Sequence, residues 1–138
     1  MNHSASDYAA TLLRITLGVV LLAHGLLKVL VFTLPGTAGF FASVGFPGWT
    51  AYPVTAIEIA GGLALIAGFH SRLVALAVQP VLLGALFVHI GNGWLFSAPN
   101  GGWEYPLFLV VAAAVVSLLG DGAFALRRAP APVRLRTA

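Results

Sequence analysis

Five ionisable side chains, His24, Lys28, Glu58, His89 and Glu104, sit inside or at the edges of long apolar runs. Charge at the centre of a bilayer is disfavoured by about 2.5–3.5 kcal/mol per residue, so such groups need partners or a role. Imidazole titrates near neutrality and a carboxylate beside it can relay protons, a pairing suited to a quinone-like headgroup. Glu58 and His24 are therefore the candidate catalytic, proton-handling residues. Lys28 would offset the carboxylate charge and polarise a ligand carbonyl. His89 and Glu104 would line the mouth of the site as ligand-binding residues, with Trp103 and Trp94 as an aromatic lip. The same nitrogens and oxygens suit a divalent metal, but no HxxxH or ExxH spacing accompanies them, so no metal ligands are assigned. A path for a small solute is a third chemistry open to the set.

Each residue also has a plainer reading. Lys28 can snorkel toward headgroups, and Glu104 can simply favour the positive end of a helix. His89 suits an interface, and His24 suits a hydrogen-bonded core. Glu58 resists this treatment, being the deepest acid and too short to snorkel.

Four apolar stretches must carry these residues: 9–32, 52–69, 72–91 and 103–120. At about 1.5 Å per residue each is long enough to cross a hydrocarbon core about 30 Å thick, with modest thinning for the shortest. Backbone amides in lipid need internal partners and no alternating strand pattern is present, so an all-α, four-transmembrane-helix bundle is expected. Pro53 and Pro106 fit opening helical turns, while Pro80 predicts a kink inside the third span, with Gln79 beside it available for a polar contact. Ala60, Ala64 and Gly68 form a small-xxx-small ridge suited to close helix contact, within the bundle or in a homo-oligomer. The run 26–32 continues past a weak cleavage-like site at 23–25, so the first span is expected to stay uncleaved.

Apart from Lys28, the positive residues mark one side. Arg14, Arg72 and the arginines 127, 128, 134 and 136 lie toward the termini and the short middle connection, whereas 33–51 and 92–102 hold no Lys or Arg. The positive-inside rule then puts both termini in the cytoplasm. Counting inward from the outer ends places Lys28 about 6 Å deep, Glu58 about 8 Å and His24 about 12 Å. His24 and Lys28, four residues apart, share a helix face. Arg14 and Asp121 fall together at the inner side and are expected to form a structural ion pair. Echoes between His24-Gly25 and His89-Ile90-Gly91, and between Tyr52-Pro53 and Tyr105-Pro106, suggest two hairpins related by a parallel repeat.

Composition agrees with a membrane chain. Of 138 residues, 59% are hydrophobic and only 8% charged, against roughly 25% charged in soluble domains. The formal charge of +3 is concentrated in the C-terminal tail and comes with no recognition motif, which argues against nucleic acid and for anionic lipid or orientation. No cysteine is present, so thiol relays and cysteine-ligated metal are excluded within this chain.

In order and spacing the residues resemble the DoxX family of small bacterial membrane proteins over about residues 11–126. The resemblance runs through Leu13-Arg14, Gly18, His24-Gly25 and Lys28, then residues 43–47. It continues through residues 58–65 and 68–73, His89, and residues 102–107. It implies a four-helix integral membrane protein. Some family members are linked to redox systems, including the membrane subunit of a thiosulfate:quinone oxidoreductase, and others to sulfur metabolism or oxidative-stress complexes.

The expectation is a membrane domain over 1–126 with a basic cytoplasmic tail over 127–138, located in the bacterial inner membrane. It would be redox-associated and bind a quinone or similar apolar molecule in the outer half, with the bilayer and a redox protein as partners. The alternatives are a non-enzymatic subunit or assembly partner of an oxidoreductase complex, and a small-solute or metal transporter.

Overall fold

The computed structural model describes residues 3–128. Five α-helices follow one another: α1 (Ala5–Leu30), α2 (Leu34–Ser43), α3 (Ala51–Ala67), α4 (Ser71–His89) and α5 (Glu104–Leu119). Three helical stretches, Ala5–Leu30, Gly48–Ala67 and Ser71–Asn92, are long and apolar enough to cross a membrane. At 16 residues α5 is shorter, spanning about 24 Å by helical rise. Each of these four helices carries an outward row of exposed apolar side chains, such as Leu12, Val19 and Leu30 on α1 and Leu73, Leu76 and Phe87 on α4. Lipid would tolerate such a surface where water would not.

Local signals account for the helix ends. Ser4 caps α1 through a capping box: its hydroxyl accepts from the Asp7 amide, and its own amide donates to Asp7 Oδ2 at 2.8 Å. This satisfies amides that have no partner inside the first turn. The connection 33–51, to which the pattern assigned no element, folds into α2 and a 3-10 turn at Gly48–Thr50. Thr33 starts α2 by accepting from the Gly36 amide at 3.2 Å, with Pro35 in the opening turn.

The long helices form a ring in which α1 packs chiefly on α3 and α4 on α5, with thinner seams between α3 and α4 and between α1 and α5. The tightest seam is glycine on glycine. A Cβ on Gly18 would stand 2.7 Å from the Gly62 carbonyl oxygen, and one on Gly62 equally close to that of Gly18. Close contact of small residues drives helix association where lipid cancels the hydrophobic effect. The expected Ala60–Ala64–Gly68 ridge is not this seam, since Ala60 faces outward and is exposed. The 3.6-residue period turns Gly62 to α1 when Ala60 points away. Between the four helices a core gathers Leu17, Leu21, Leu65, Val78, Leu82, Leu109 and Val116. Helix α4 runs through Pro80, and Gln79 Nε2 donates across to the Val110 carbonyl of α5 at 3.0 Å.

One end of the ring is laced shut by Arg14. This buried side chain donates to the carbonyls of Leu65 (2.6 Å) and Ile66 (2.9 Å) in the last turn of α3, and to those of Asp121 (2.8 Å) and Ala123 (3.2 Å) after α5. Arg72 donates to the Ser117 and Leu119 carbonyls at the end of α5. Asp121 Oδ1 accepts from the Ser71 amide at the start of α4 at 2.7 Å. Cations on the carbonyl ends of helices and an anion on an amide end all complement the helix dipoles. Asp121 thus meets Arg14 through a guanidinium-to-main-chain bond and through its opposite charge, while its carboxylate also holds the start of α4. Residues 121–127 form a strap: Ala123 donates its amide to Asp7, Leu126 to Ala67 and Arg127 to Gly68, while His70 donates to Arg127. Arg127 therefore belongs with the helical unit rather than with a separate tail, and Arg134 and Arg136 lie outside the described residues.

Candidate functional site

At the opposite end the ring opens around a cavity of about 600 Å³, within the few-hundred to 1,000 Å³ range typical of small-molecule sites. Its floor is the top of the core, Leu21, Leu82 and Leu109. Phe40 and Phe41 of α2, with Val44 and Phe46 just beyond it, roof one side. Phe46 meets Phe87 of α4 edge-on at 6.0 Å, joining the roof to the far wall. Into this apolar space come His24, Lys28, Glu58 and His89, from three different helices.

The central feature is an ion pair. Lys28 Nζ donates to both oxygens of Glu58, at 2.8 and 2.7 Å, and the two side chains are only 16% and 8% exposed. Glycine again permits the contact. A Cβ on Gly25 would stand 2.6 Å from Ile59 Cγ1 and 3.2 Å from Glu58 Cβ, so only a bare backbone lets α3 bring Glu58 under Lys28. In a low-dielectric setting each charge is tolerable because the other is there.

The two histidines are held alike. His24 Nδ1 lies 2.8 Å from the Val20 carbonyl, and His89 Nδ1 lies 2.7 Å from the Ala85 carbonyl, each one helical turn back. A carbonyl can only accept, so both Nδ1 atoms carry hydrogen, and in the neutral ring Nε2 holds a lone pair. No partner within the described residues occupies either Nε2. His24 also stacks near Tyr105, with ring centroids 6.3 Å apart and planes at 30°.

The structure thus brings together four of the six residues singled out for catalysis and ligand binding. Glu104 and Trp103 stand apart. Glu104 begins α5 and its Oε1 accepts from the Phe96 amide at 2.8 Å, fastening the loop before the helix. It lines an adjoining, open apolar groove with Trp94, Phe108 and Val111, and Phe96 and Tyr105 border both spaces. Trp103 packs edge-on against Trp94 at 4.5 Å and lines neither space, so no aromatic lip forms at the cavity. One step along the helix, Tyr105 takes the inward position instead.

Three contributors escaped the sequence reading. The α2 phenylalanines were visible as aromatics but not as a roof, because a short segment without charge or period gives no fold signal. Tyr105 follows Glu104 directly, and only helix phase separates the two. Gly84 borders the cavity and a Cβ there would meet nothing within 4 Å; a bare position five residues before His89 was the available hint. Among the described residues no group of three His, Cys, Asp or Glu is placed to hold a metal ion.

Comparison with known proteins adds a family frame. Residues 9–91 match the family model described as DoxX. A protein of Bacillus subtilis (strain 168) named "Putative oxidoreductase CatD" is 32% identical over 127 residues, covering 91% of this chain and 89% of its own length. No solved structure matches. The family match contains His24, Lys28, Glu58 and His89 but stops before Trp103 and Glu104.

Proposed function

This chain belongs to the DoxX family, and from that premise we propose a redox-associated protein that binds a quinone or similar apolar molecule in its cavity. It crosses the bacterial cytoplasmic membrane four times with both termini inside, and works beside a redox partner protein. The observation that carries the reading is the meeting of a Lys28–Glu58 pair and two open imidazoles in one apolar cavity of about 600 Å³. The oxidoreductase name of the Bacillus subtilis relative supports the redox association.

A quinone would supply reversible two-electron, two-proton chemistry when bound; the chain supplies orientation and proton handling. Lys28 has three N–H donors and gives two to Glu58, leaving one to polarise a ligand oxygen. Glu58 keeps lone pairs beyond the two that accept from Lys28, so it can accept from a ligand hydroxyl while it stays on the ammonium. His24 accepts a proton at Nε2 while Nδ1 stays on Val20, which keeps the ring fixed through the transfer. The phenylalanine roof and leucine floor surround the half-buried ion pair with apolar atoms and so strengthen that contact.

A second reading rests on the completeness of the ion pair, which by itself would lock α1 to α3 in an assembly subunit without chemistry. Mass spectrometry of small molecules retained after gentle detergent extraction separates the two. The proposal expects a retained quinone or related molecule that is lost in Glu58→Gln protein that still folds. No retained molecule, with Glu58→Gln changing only the Tm, would establish the assembly role.

A further inference from the structure

From the hydrogen-bond inventory of the cavity, and resting on the small-molecule reading above, we infer that it is built for the hydroxyl-bearing, reduced form of a ring ligand. The acceptors outnumber the donors. His24 and His89 each spend their only neutral-state hydrogen on a carbonyl of their own helix, at Val20 and Ala85. Each therefore presents a lone pair at Nε2. The Glu58 carboxylate has lone pairs beyond the two that take the ammonium hydrogens. Thr50, also on the cavity wall, donates its hydroxyl to the Pro47 carbonyl at 2.6 Å and so can only accept from a ligand. Among the side chains, these face one remaining Lys28 hydrogen and the Tyr105 hydroxyl.

A quinone ring offers only carbonyl acceptors and would leave the two imidazole lone pairs facing acceptors or nothing. A hydroquinone offers two O–H donors and completes them. A fixed acceptor gains a hydrogen bond only from a ligand that brings a donor, so the two imidazoles favour a hydroxyl-bearing ring over one with carbonyls alone. Fixing is the essential point: a free histidine would exchange tautomers to suit either ligand, whereas the helical carbonyls of Val20 and Ala85 hold these two in one. A planar ring fits the remaining walls, where Phe41 and Tyr105 face the space with the leucine floor beneath.

Anaerobic calorimetric titration of the full-length, detergent-solubilised protein tests this, using decylubiquinol, decylubiquinone and the di-O-methyl ether of the quinol as probes. The quinol is expected to bind about tenfold tighter than the quinone, one hydrogen bond's difference or a little more, and the ether no tighter than the quinone. His24→Phe and His89→Phe, which keep a ring but no acceptor, are each expected to narrow the quinol-to-quinone ratio several-fold. Equal binding of the two redox forms, or tighter quinone, overturns the inference and leaves the cavity reading standing. Absence of binding for all three probes overturns both.

Discussion

Arg14 and Lys28 are cations on the same helix, about 21 Å apart by helical rise, and they end in opposite settings. Arg14 is buried and gives its hydrogens to four main-chain carbonyls from α3 and the strap after α5. Nothing about it is open to a ligand. Lys28 makes one bidentate contact with Glu58 and borders a cavity with two unpartnered imidazole nitrogens. The planar guanidinium suits a fixed array of acceptors, while the ammonium on its flexible stem can shift from one oxygen to another. A cation enclosed among main-chain carbonyls closes one end of the ring, and an exchangeable one faces a space at the other. Buried charge alone does not mark a site; unspent hydrogen-bonding capacity beside it does.

Removing the enclosed cation gives the largest effect on stability. Arg14→Ala leaves several carbonyls of α3 and the strap unpartnered, at about 1–3 kcal/mol for each that water cannot reach. A loss of about 3 kcal/mol or more is expected in chemical unfolding, and Arg14→Lys recovers little of it, lacking the fork geometry. Any ligand bound per folded molecule should stay unchanged. If ligand retention falls in the protein that remains folded, the two ends are not separable.

At the open end the order reverses. Glu58→Gln strands the Lys28 charge and is expected to lower stability by about 1–3 kcal/mol, less than the 3–5 typical of a fully buried pair, while abolishing ligand retention. Pairing it with Lys28→Met should restore stability without restoring the ligand. Recovery of both in the double variant would reduce the pair to a packing device.

Gly84→Leu sharpens the contrast further, because it fills space without touching a charge. Helix propensity and added apolar contact predict a stability gain of about 0.5–2 kcal/mol with loss of the bound molecule. An unchanged ligand content would show that the cavity is not its place. The smallest perturbation concerns direction in the membrane. The chain has no cysteine, so Ser43→Cys on α2 and Ser6→Cys at the start of α1 can be probed singly with an impermeant maleimide on intact cells. Labelling of position 43 but not position 6 is expected; the reverse would invert the proposed orientation.

Much of this was legible in the sequence, and the limits are physical. Apolar length announces helices, and counting rise from their ends placed Lys28 and Glu58 at similar depth, where they meet. Depth said nothing about rotation, which is why Tyr105 and not its neighbour Glu104 borders the cavity. Four of the partners of Arg14 are main-chain carbonyls, and a backbone atom has no identity in a sequence, so of this network only the nearby acid, Asp121, was legible. The small-residue ridge was sought at Ala60 and Ala64 because they recur on one face, yet the face that meets α1 is that of Gly62. The roof was hidden most deeply, since α2 has neither charge nor period and becomes a wall only when the ring beneath it leaves a gap.

The central claim is that the end bearing Lys28 and Glu58 holds a small apolar ring. Photolabelling of the full chain with an azido-quinone, followed by peptide mapping, tests it most directly. Adducts are expected on peptides carrying His24, Phe41, His89 or Tyr105, competed by unlabelled quinone and absent in Gly84→Leu. Adducts confined to outward positions such as Leu73, Leu76 or Leu118, unaffected by competitor, would contradict it.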